Sequence, residues 1–541
     1  VPPLETALCV EVVAYLDEDG DGHGAGDPVT LSCGLVPQYV TTAGDCDDTD
    51  RGVSPVAYER CGSGVDEDCD GAVDEAPEPN VILMDGFDSD CVLAHEPGVV
   101  TEVVATAWRG HILENIGDGL AVGDFTGDGS LDLLAVGNLN PEVGLDLYGD
   151  RRGGGYLVSG FRQRGLDAEA EHAAASVLLG GIDDAIAKAS QVGDLNGDGY
   201  TDLFFGSIDW KHPITGEDGY GYSVMGPIPP GVVYIPEVGR RFDSHEESAR
   251  LALSFTGPGD LDGDGLDDLV LGAPGKGNIP AAAVYILNGP AEHQVHEART
   301  TLRGDDDVLG STAAALGDVT GDGVSDFGVG GSQLSGGTRF GAVGYVVSSV
   351  PSGEVYVGDV GYRVGGFTDV VDTIVYLHAG GDVNGDGHLD VLVSVAQRSA
   401  LALIHGPIPE TGERHVYTDH DALLYESLNY DYLESVSAAD RDADGYGELV
   451  IGEGSWTRAG SACDFGKQDG CNVGAVFTVA GPLGGHVDLM VEADRIEGPA
   501  QDGRLGQFVH APDDLDGDGL ADLVISKGSS TGSLYLLYGM R

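Results

Sequence analysis

One nine-residue pattern occurs seven times in this chain: DFTGDGSLD (124–132), DLNGDGYTD (194–202), DLDGDGLDD (260–268), DVTGDGVSD (318–326), DVNGDGHLD (382–390), DRDADGYGE (440–448) and DLDGDGLAD (514–522). Successive copies begin 58 to 74 residues apart. That interval is too regular for chance and too long for the short coils of a solenoid, so the chain must fold as an array of similar units.

Each copy carries oxygen-bearing side chains at positions one, three and five, glycine or alanine at four, glycine at six and a carboxylate at nine. The pattern suits a hard cation that takes about six to eight oxygens, with position seven adding a main-chain carbonyl. Calcium fits better than magnesium, which demands a tighter octahedron and keeps its waters. The candidate ligands are Asp124, Thr126, Asp128, Ser130 and Asp132 in the first loop, and Asp194, Asn196, Asp198, Tyr200 and Asp202 in the second. Asp260, Asp262, Asp264, Leu266 and Asp268 form the third, and Asp318, Thr320, Asp322, Val324 and Asp326 the fourth. Asp382, Asn384, Asp386, His388 and Asp390 follow, then Asp440, Asp442, Asp444, Tyr446 and Glu448, then Asp514, Asp516, Asp518, Leu520 and Asp522.

A helical EF-hand would need a bidentate glutamate at position twelve and amphipathic flanking helices. Position twelve is instead Ala135, Phe205, Leu271, Val329, Val393, Ile451 and Ile525, each inside an apolar run such as DLVLGAP that reads as a buried strand. Each loop is therefore the turn of a β-hairpin. Later in every unit come an aromatic-aliphatic strand (AVYILNGP, LALIHGP, AVFTVAGP, SLYLLYG) and a polar-apolar alternating one, giving four antiparallel strands per unit.

Two stretches, LGSTAAALGDVTGDGVSDFGVGG (309–331) and DLDGDGLDDLVLGAP (260–274), resemble the FG-GAP repeats of integrin α-subunit propellers. The likeness extends over about 440 residues and implies an all-β, seven-bladed propeller over 96–541 with calcium in the hairpin between strands one and two of a blade. The chain ends after the third strand of its last unit, so residues 99–108, VTEVVATAW with the preceding valine, are expected to supply the missing outer strand.

Residues 1–95 differ in character. Cys9, Cys33, Cys46, Cys61, Cys69 and Cys91 alternate with acidic clusters, of which Asp66, Asp68, Asp70 and Asp74 keep the cation spacing, while Asp17, Asp19 and Asp21 lack a carboxylate at position nine. So short and apolar-poor a segment needs disulfides and bound ions to hold it. In its order DxDxDGxG, GDCDD, ERC and DEDCDG it resembles the metal-binding repeat of secreted bacterial proteins, a family that includes copper-binding surface proteins. No Cys/His/Met copper constellation accompanies it, and His23 is a lone imidazole among carboxylates.

The 91 acidic residues against 26 basic ones leave a formal charge of −65 with no basic cluster, which disfavours nucleic acid or an anionic membrane as partner. Most of those carboxylates read as solvated surface. The even cysteine count without CxxC pairs points to an oxidising compartment. With no apolar run long enough to span a bilayer and a first residue that is not Met, the expectation is an exported protein whose leader has been removed, secreted or held at a bacterial cell surface.

No GxSxG, HExxH, P-loop or dinucleotide fingerprint appears in its required setting. Arg303, Gly304 and Asp305 spell RGD, but they sit where every unit exits its fourth strand. The connections after the second strand, which should lie opposite the calcium hairpins, are long in the first, second and sixth units. Trp210, Lys211, His212, Trp456 and Arg458 fall there, the last two in a loop that Cys463 and Cys471 would stiffen. Exposed, such groups would grip a protein or glycan; turned inward, the two tryptophans would plug the space between sheets. The leading expectation is a non-enzymatic adhesion or interaction scaffold with an extracellular partner. The alternatives are a propeller-based polysaccharide lyase or hydrolase, which would need Tyr, His, Arg and carboxylate to converge on that face, and a lectin.

Overall fold

The computed structural model describes residues 11–16, 24–32, 39–40, 43–44, 46–47, 69, 81–83, 92–95, 99–102, 105–109, 119–137, 153–159, 167–169, 176–181, 184, 186–211, 218–244, 249–275, 282–289, 295–304, 307–335, 338–348, 350–367, 374–395, 400–416, 418–425, 435–441, 443–454, 456, 474–497, 504–511, 514–515, 520–527 and 533–537. The chain divides into two compact units, 1–103 and 104–541. The fold is all-β.

In the first unit Glu11–Leu16 pairs antiparallel with both Ala25–Ser32 and Tyr39–Val40, and Val92–His95 pairs with Val99–Glu102. Cys46 and Cys69 form a disulfide across 23 residues of sequence.

The second unit is a succession of antiparallel sheets, each opened by one of the nine-residue turns. The first comprises Gly119–Gly123, Asp132–Gly137, Gly154–Val158 and Ser176–Leu179; the second Ile186–Gln191, Leu203–Lys211, Asp218–Val224 and Arg240–Asp243. The third holds Ser254–Gly259, Asp268–Ala273, Ala283–Asn288 and Thr300–Arg303; the fourth Asp307–Gly317, Asp326–Ser335, Thr338–Val347 and Gly361–Phe367. The fifth holds Val375–Gly381, Asp390–Val395, Ala400–Ile404 and Ala422–Tyr425; the sixth Ser435–Ala439, Glu448–Glu453, Ala475–Val479 and Asp494–Glu497. The seventh has Leu505–His510, Leu523–Lys527 and Ser533–Leu537.

Its fourth strand is Ala105–Arg109, antiparallel to Ser533–Leu537, with Trp108 opposite Leu534. Among the described residues this pairing covers 105–109 rather than the 99–108 expected. Val99–Glu102 turns to Val92–His95 instead.

The second strand of each sheet begins with a short, largely apolar stretch that is buried along both faces, and the two-residue period of a strand then sends alternate side chains to different neighbours. In the first sheet Leu134 and Val136 pack with Leu203 and Phe205 of the second, whereas Leu133 and Ala135 pack with Val524, Leu534 and Leu536 of the seventh. Phe204, one residue out of phase with Phe205, faces the third sheet, its ring 4.8 Å from that of Phe255. Val270 and Ile286 meet Phe327 and Val343 of the fourth sheet; Val346 and Val364 meet Val391 and Val393 of the fifth; Leu392 and Leu401 meet Leu449 and Phe477 of the sixth. The sixth and seventh join through polar bonds: Val509 N–H donates to Ser435 Oγ at 3.1 Å and Ala511 N–H to Ser437 Oγ at 2.9 Å.

The four-strand unit of the sequence reading is incomplete. In five sheets a further strand lies parallel to the fourth, and it is borrowed from the connection between strands three and four of the following sheet. Gly231–Tyr234 of the second sheet pairs with Ser176–Leu179 of the first, and Gly353–Tyr356 of the fourth with Thr300–Arg303 of the third. Gly412–His415, Gly485–Asp488 and Asp167–Glu169 do the same for the fourth, fifth and seventh sheets. Each such clasp covers an otherwise unpaired sheet edge. Arg303 and Glu354 bridge one clasp at 3.3 Å, and Arg363 with Glu413 bridges the next.

Candidate metal loops

The nine-residue turns share one hydrogen-bonding plan. At position one, Asp124 receives the amides of Gly127 and Asp128 on Oδ1 and that of Gly129 on Oδ2, at 2.7 to 3.1 Å. Asp194, Asp260, Asp318 and Asp382 are gripped the same way, and Asp440 takes the amides of Asp444 and Gly445. Wrapping three successive amides around one carboxylate takes the backbone into the left-handed region, with φ of 76° at Gly127 and 81° at Gly129. At position five, Asp128, Asp198, Asp264, Asp322, Asp386 and Asp444 each accept the amide of position seven.

Position nine closes the turn from below. One oxygen of Asp132, Asp202, Asp268, Asp326, Asp390, Glu448 and Asp522 accepts a main-chain amide from position two or three. The six aspartates are fully buried. Burial pushes the carboxyls of Asp132, Asp202 and Asp326 up to about 6 and that of Asp268 to about 7, with the neighbouring carboxylates adding to the rise, and Asp390 moves the same way.

The second oxygen differs between loops. Asp202 Oδ1 accepts the amide of Gly226 at 2.8 Å and Asp390 Oδ1 that of Gly406 at 2.9 Å. Asp132 Oδ1 and Asp268 Oδ1 are buried with no hydrogen-bond partner. A buried, unsatisfied carboxylate oxygen is costly, and a cation would satisfy it. In the third loop Asp260, Asp262 and Asp268 bring oxygens within 4.8 Å of one another, as do Asp440, Asp444 and Glu448 in the sixth. An all-carboxylate donor set of this kind fits a hard divalent ion.

The loops also touch one another. Tyr200, Leu266, His388 and Tyr446, at position seven, lie over the glycine at position four of the preceding loop: a Cβ on Gly127 would stand 2.6 Å from the Tyr200 ring, and one on Gly385 2.5 Å from that of Tyr446, whereas a Cβ on Gly263, before Val324, would meet nothing within 4 Å. Besides offering its carbonyl, position seven thus has a second task for its side chain, which explains the large residues Tyr200, Leu266, His388 and Tyr446 there.

Residues 254–287 match the FG-GAP repeat family model. That segment is similar to an FG-GAP repeat. Its FG-GAP loop is the third of the seven turns, and the other six carry the same motif. Residues 45–75 match the Cu-binding MopE metal-binding motif, the stretch that the Cys46–Cys69 disulfide spans. No curated protein matches the chain.

Of the other candidates, Asp442, Asp516 and Asp518 lie outside the described residues, as do Asp17, Asp19, Asp21, Asp66, Asp68, Asp70 and Asp74 of the first unit, and Cys463 with Cys471. His212 and Arg458 lie outside them too. Trp210 and Lys211 belong to the strand Leu203–Lys211, where Lys211 pairs with Asp218.

Of the two positions the sequence leaves open for Trp456, the structure shows the inward one and not the partner-facing one. It is 2% exposed, packed among Leu449, Ile451 and Phe477, with the Arg495 guanidinium 5.1 Å from its ring centre. Its amide and carbonyl are tied to Glu453 and Gly474. A side chain so enclosed fills the gap between the fifth and sixth sheets and cannot grip a partner.

Two clusters of Tyr, Asp and Arg meet the chemical description of an acid/base site but not its accessibility. Tyr220 O–H donates to Asp184 Oδ1 at 2.8 Å, under Arg241, and Tyr345 O–H donates to Asp307 Oδ2 at 2.8 Å, near Arg363. Tyr220, Asp184, Tyr345 and Asp307 are all buried, and burial raises both phenols far from any pH at which they would ionise. These networks brace the second and fourth sheets.

Proposed function

We propose that this chain is an extracytoplasmic, calcium-stabilised, seven-bladed propeller that serves as a non-enzymatic interaction scaffold. The observation that carries the reading is the repeated cradle: a first carboxylate held by main-chain amides and a ninth one buried beneath it, with an unsatisfied oxygen at Asp132 and Asp268. Calcium bound there would neutralise clustered charge and tie the two ends of each turn. The succession of sheets, each packed on the next and the seventh on the first, supports the ring. No helix among the described residues is long and apolar enough to cross a membrane.

The partner surface in this reading is the set of long second-to-third-strand connections, with Trp210, Lys211 and His212, and the partner is an extracellular protein or glycan. The first unit adds a further metal-bearing module at its Asp/Cys cluster. The two Tyr–Asp pairs are sealed, so they do not favour the lyase or hydrolase alternative.

The test is a thermal melt with and without chelator, repeated on Asp264→Ala. Calcium should raise the melting temperature by several degrees and the variant should respond less; equal melting temperatures with and without chelator would sink the calcium reading. A protein and glycan binding screen comparing wild type with Trp210→Ala tests the surface, and undiminished binding by the variant removes that residue from it.

A further inference from the structure

A second kind of metal site is suggested away from the carboxylate loops, where a clasp crosses from one sheet to the next. His486 sits on the clasp Gly485–Asp488, which the sixth sheet lends to the fifth, opposite Leu423. His420 lies in the turn just before the strand Ala422–Tyr425 that receives this clasp. Their ring centres are 5.6 Å apart, with the planes inclined at 51°.

The tautomer of His420 follows from its partner. Its Nδ1 is 2.8 Å from the carbonyl oxygen of Val416, which can only accept, so Nδ1 carries the hydrogen and Nε2 presents a lone pair. That is the arrangement seen in metal-ligating histidines, whose second nitrogen donates to a carbonyl or carboxylate that fixes the ring. Val416 is itself fully buried and its amide reaches Gly365 O at 3.3 Å, so the carbonyl that aims His420 is anchored in the fourth sheet. His486 is exposed and His420 half-buried, which leaves the pair open to an ion from solvent.

Two imidazoles sharing one ion at metal–nitrogen distances of about 2.0–2.1 Å hold their ring centres ~5 Å apart, so a small rotation of the exposed His486 would close the site. The nearby Arg414 is engaged by Asp419 at 3.5 Å and Asp421 at 3.1 Å, so its charge is offset by carboxylates. Imidazole donors select a borderline divalent ion such as zinc or copper rather than calcium. We propose that His420 and His486 bind one divalent transition-metal ion of the zinc–copper class, which rivets the clasp of the sixth sheet to the fifth. The site is independent of the calcium reading, since neither histidine belongs to a nine-residue loop.

The experiment uses the full chain in excess calcium, so that the carboxylate loops are occupied, with Cu2+ as the probe followed by electron paramagnetic resonance and Zn2+ as competitor. Wild type should show a Cu2+ signal with nitrogen coupling that Zn2+ displaces. His420→Ala and His486→Ala should each weaken it by about tenfold or more, because losing even an outer-shell partner costs ~10–100-fold. His296→Ala, on a different sheet, should leave it unchanged. Melting of each variant in calcium checks that it folds, and a Zn2+-induced rise in wild-type melting temperature gives a second readout. A nitrogen-coupled signal of equal affinity in the His420→Ala/His486→Ala double variant, or none in wild type, overturns the proposal.

Discussion

Asp194 and Asp267 are joined by two hydrogen bonds between consecutive loops: the Asp194 amide donates to the side-chain Oδ2 of Asp267 at 2.6 Å, and the Asp267 amide donates to the Asp194 carbonyl at 3.2 Å. Asp194 is position one of the second loop, and Asp267 is the non-ligating position eight of the third. Asp267→Ala should therefore lower calcium affinity in the second loop although no ligand is lost. Calcium titration followed by melting should show a smaller calcium-induced rise than wild type, whereas Asp267→Asn, which keeps an acceptor, should lie close to wild type. An alanine variant titrating like wild type would show that the two loops are independent.

Asp268 should change sign with conditions. Without calcium its buried charge is a liability, so Asp268→Asn in chelator near pH 8 should melt at or above the wild-type temperature. With calcium the same substitution removes a ligand and should melt several degrees below wild type. A loss of equal size in both conditions would mean that the side chain is needed only for its bond to the Leu261 amide.

The raised carboxyls set a pH dependence. Their ordinary value is 3.8, and in the folded chain they stand at about 6 for Asp132, Asp202 and Asp326 and about 7 for Asp268. Between those limits the folded state binds more protons than the unfolded one, so stability falls as pH rises. The calcium-free protein should thus melt at progressively lower temperature from about pH 4 to about pH 7 on account of these groups. The extra stability from calcium should shrink over the same range as pH is lowered. A calcium increment independent of pH across this window would contradict the assignment of position nine as a ligand.

Ala443 occupies position four of the sixth loop, where the other copies carry glycine, and it is held at φ 62°. A Cβ in the left-handed region costs about 1–2 kcal/mol. Glycine loses more entropy on folding and returns part of that, so Ala443→Gly should raise the melting temperature in calcium by a few degrees. Measured against a Gly263→Ala substitution in the third loop, where φ is 78° and an added Cβ meets nothing within 4 Å, and which should lower it, the pair reads out the strain directly.

Trp456→Ala should destabilise the chain by about 3–5 kcal/mol, the range for emptying a large aromatic site in a core. Denaturant unfolding measures this. Partner binding at saturating calcium should persist in whatever fraction remains folded.

The nine-residue loops were legible because their chemistry is written in consecutive residues: carboxylates at fixed spacing, glycines where φ must be positive, and an apolar strand immediately after. The clasps were missed because each is a strand of only three or four residues, and one such as Gly231–Tyr234 has Val233 alone buried. A signal did exist. GVVYI (231–235), GEVYV (353–357) and GHVDL (485–489) share a glycine at φ of 73° to 105°, an apolar third residue and a buried fifth residue that opens a one-turn helix. Trp456 was ambiguous for a different reason: an aromatic residue in a long connection is equally compatible with solvent or core until the neighbouring sheet is placed. Position seven concealed its packing role because the residue it covers, Gly127 beneath Tyr200 for example, belongs to a loop about 70 residues earlier.

The clasps change what a repeat is in this molecule. A segment cut from one nine-residue turn to the next would carry a strand whose seat belongs to the sheet before it and would lack the strand that completes its own edge. Neighbouring repeats are thus interlocked like links of a chain rather than stacked like coins, and loosening one sheet exposes the edge of another. Such a body should come apart in one concerted event instead of peeling repeat by repeat, and a repeat could be gained or lost in its history only together with the joint it shares with its neighbour.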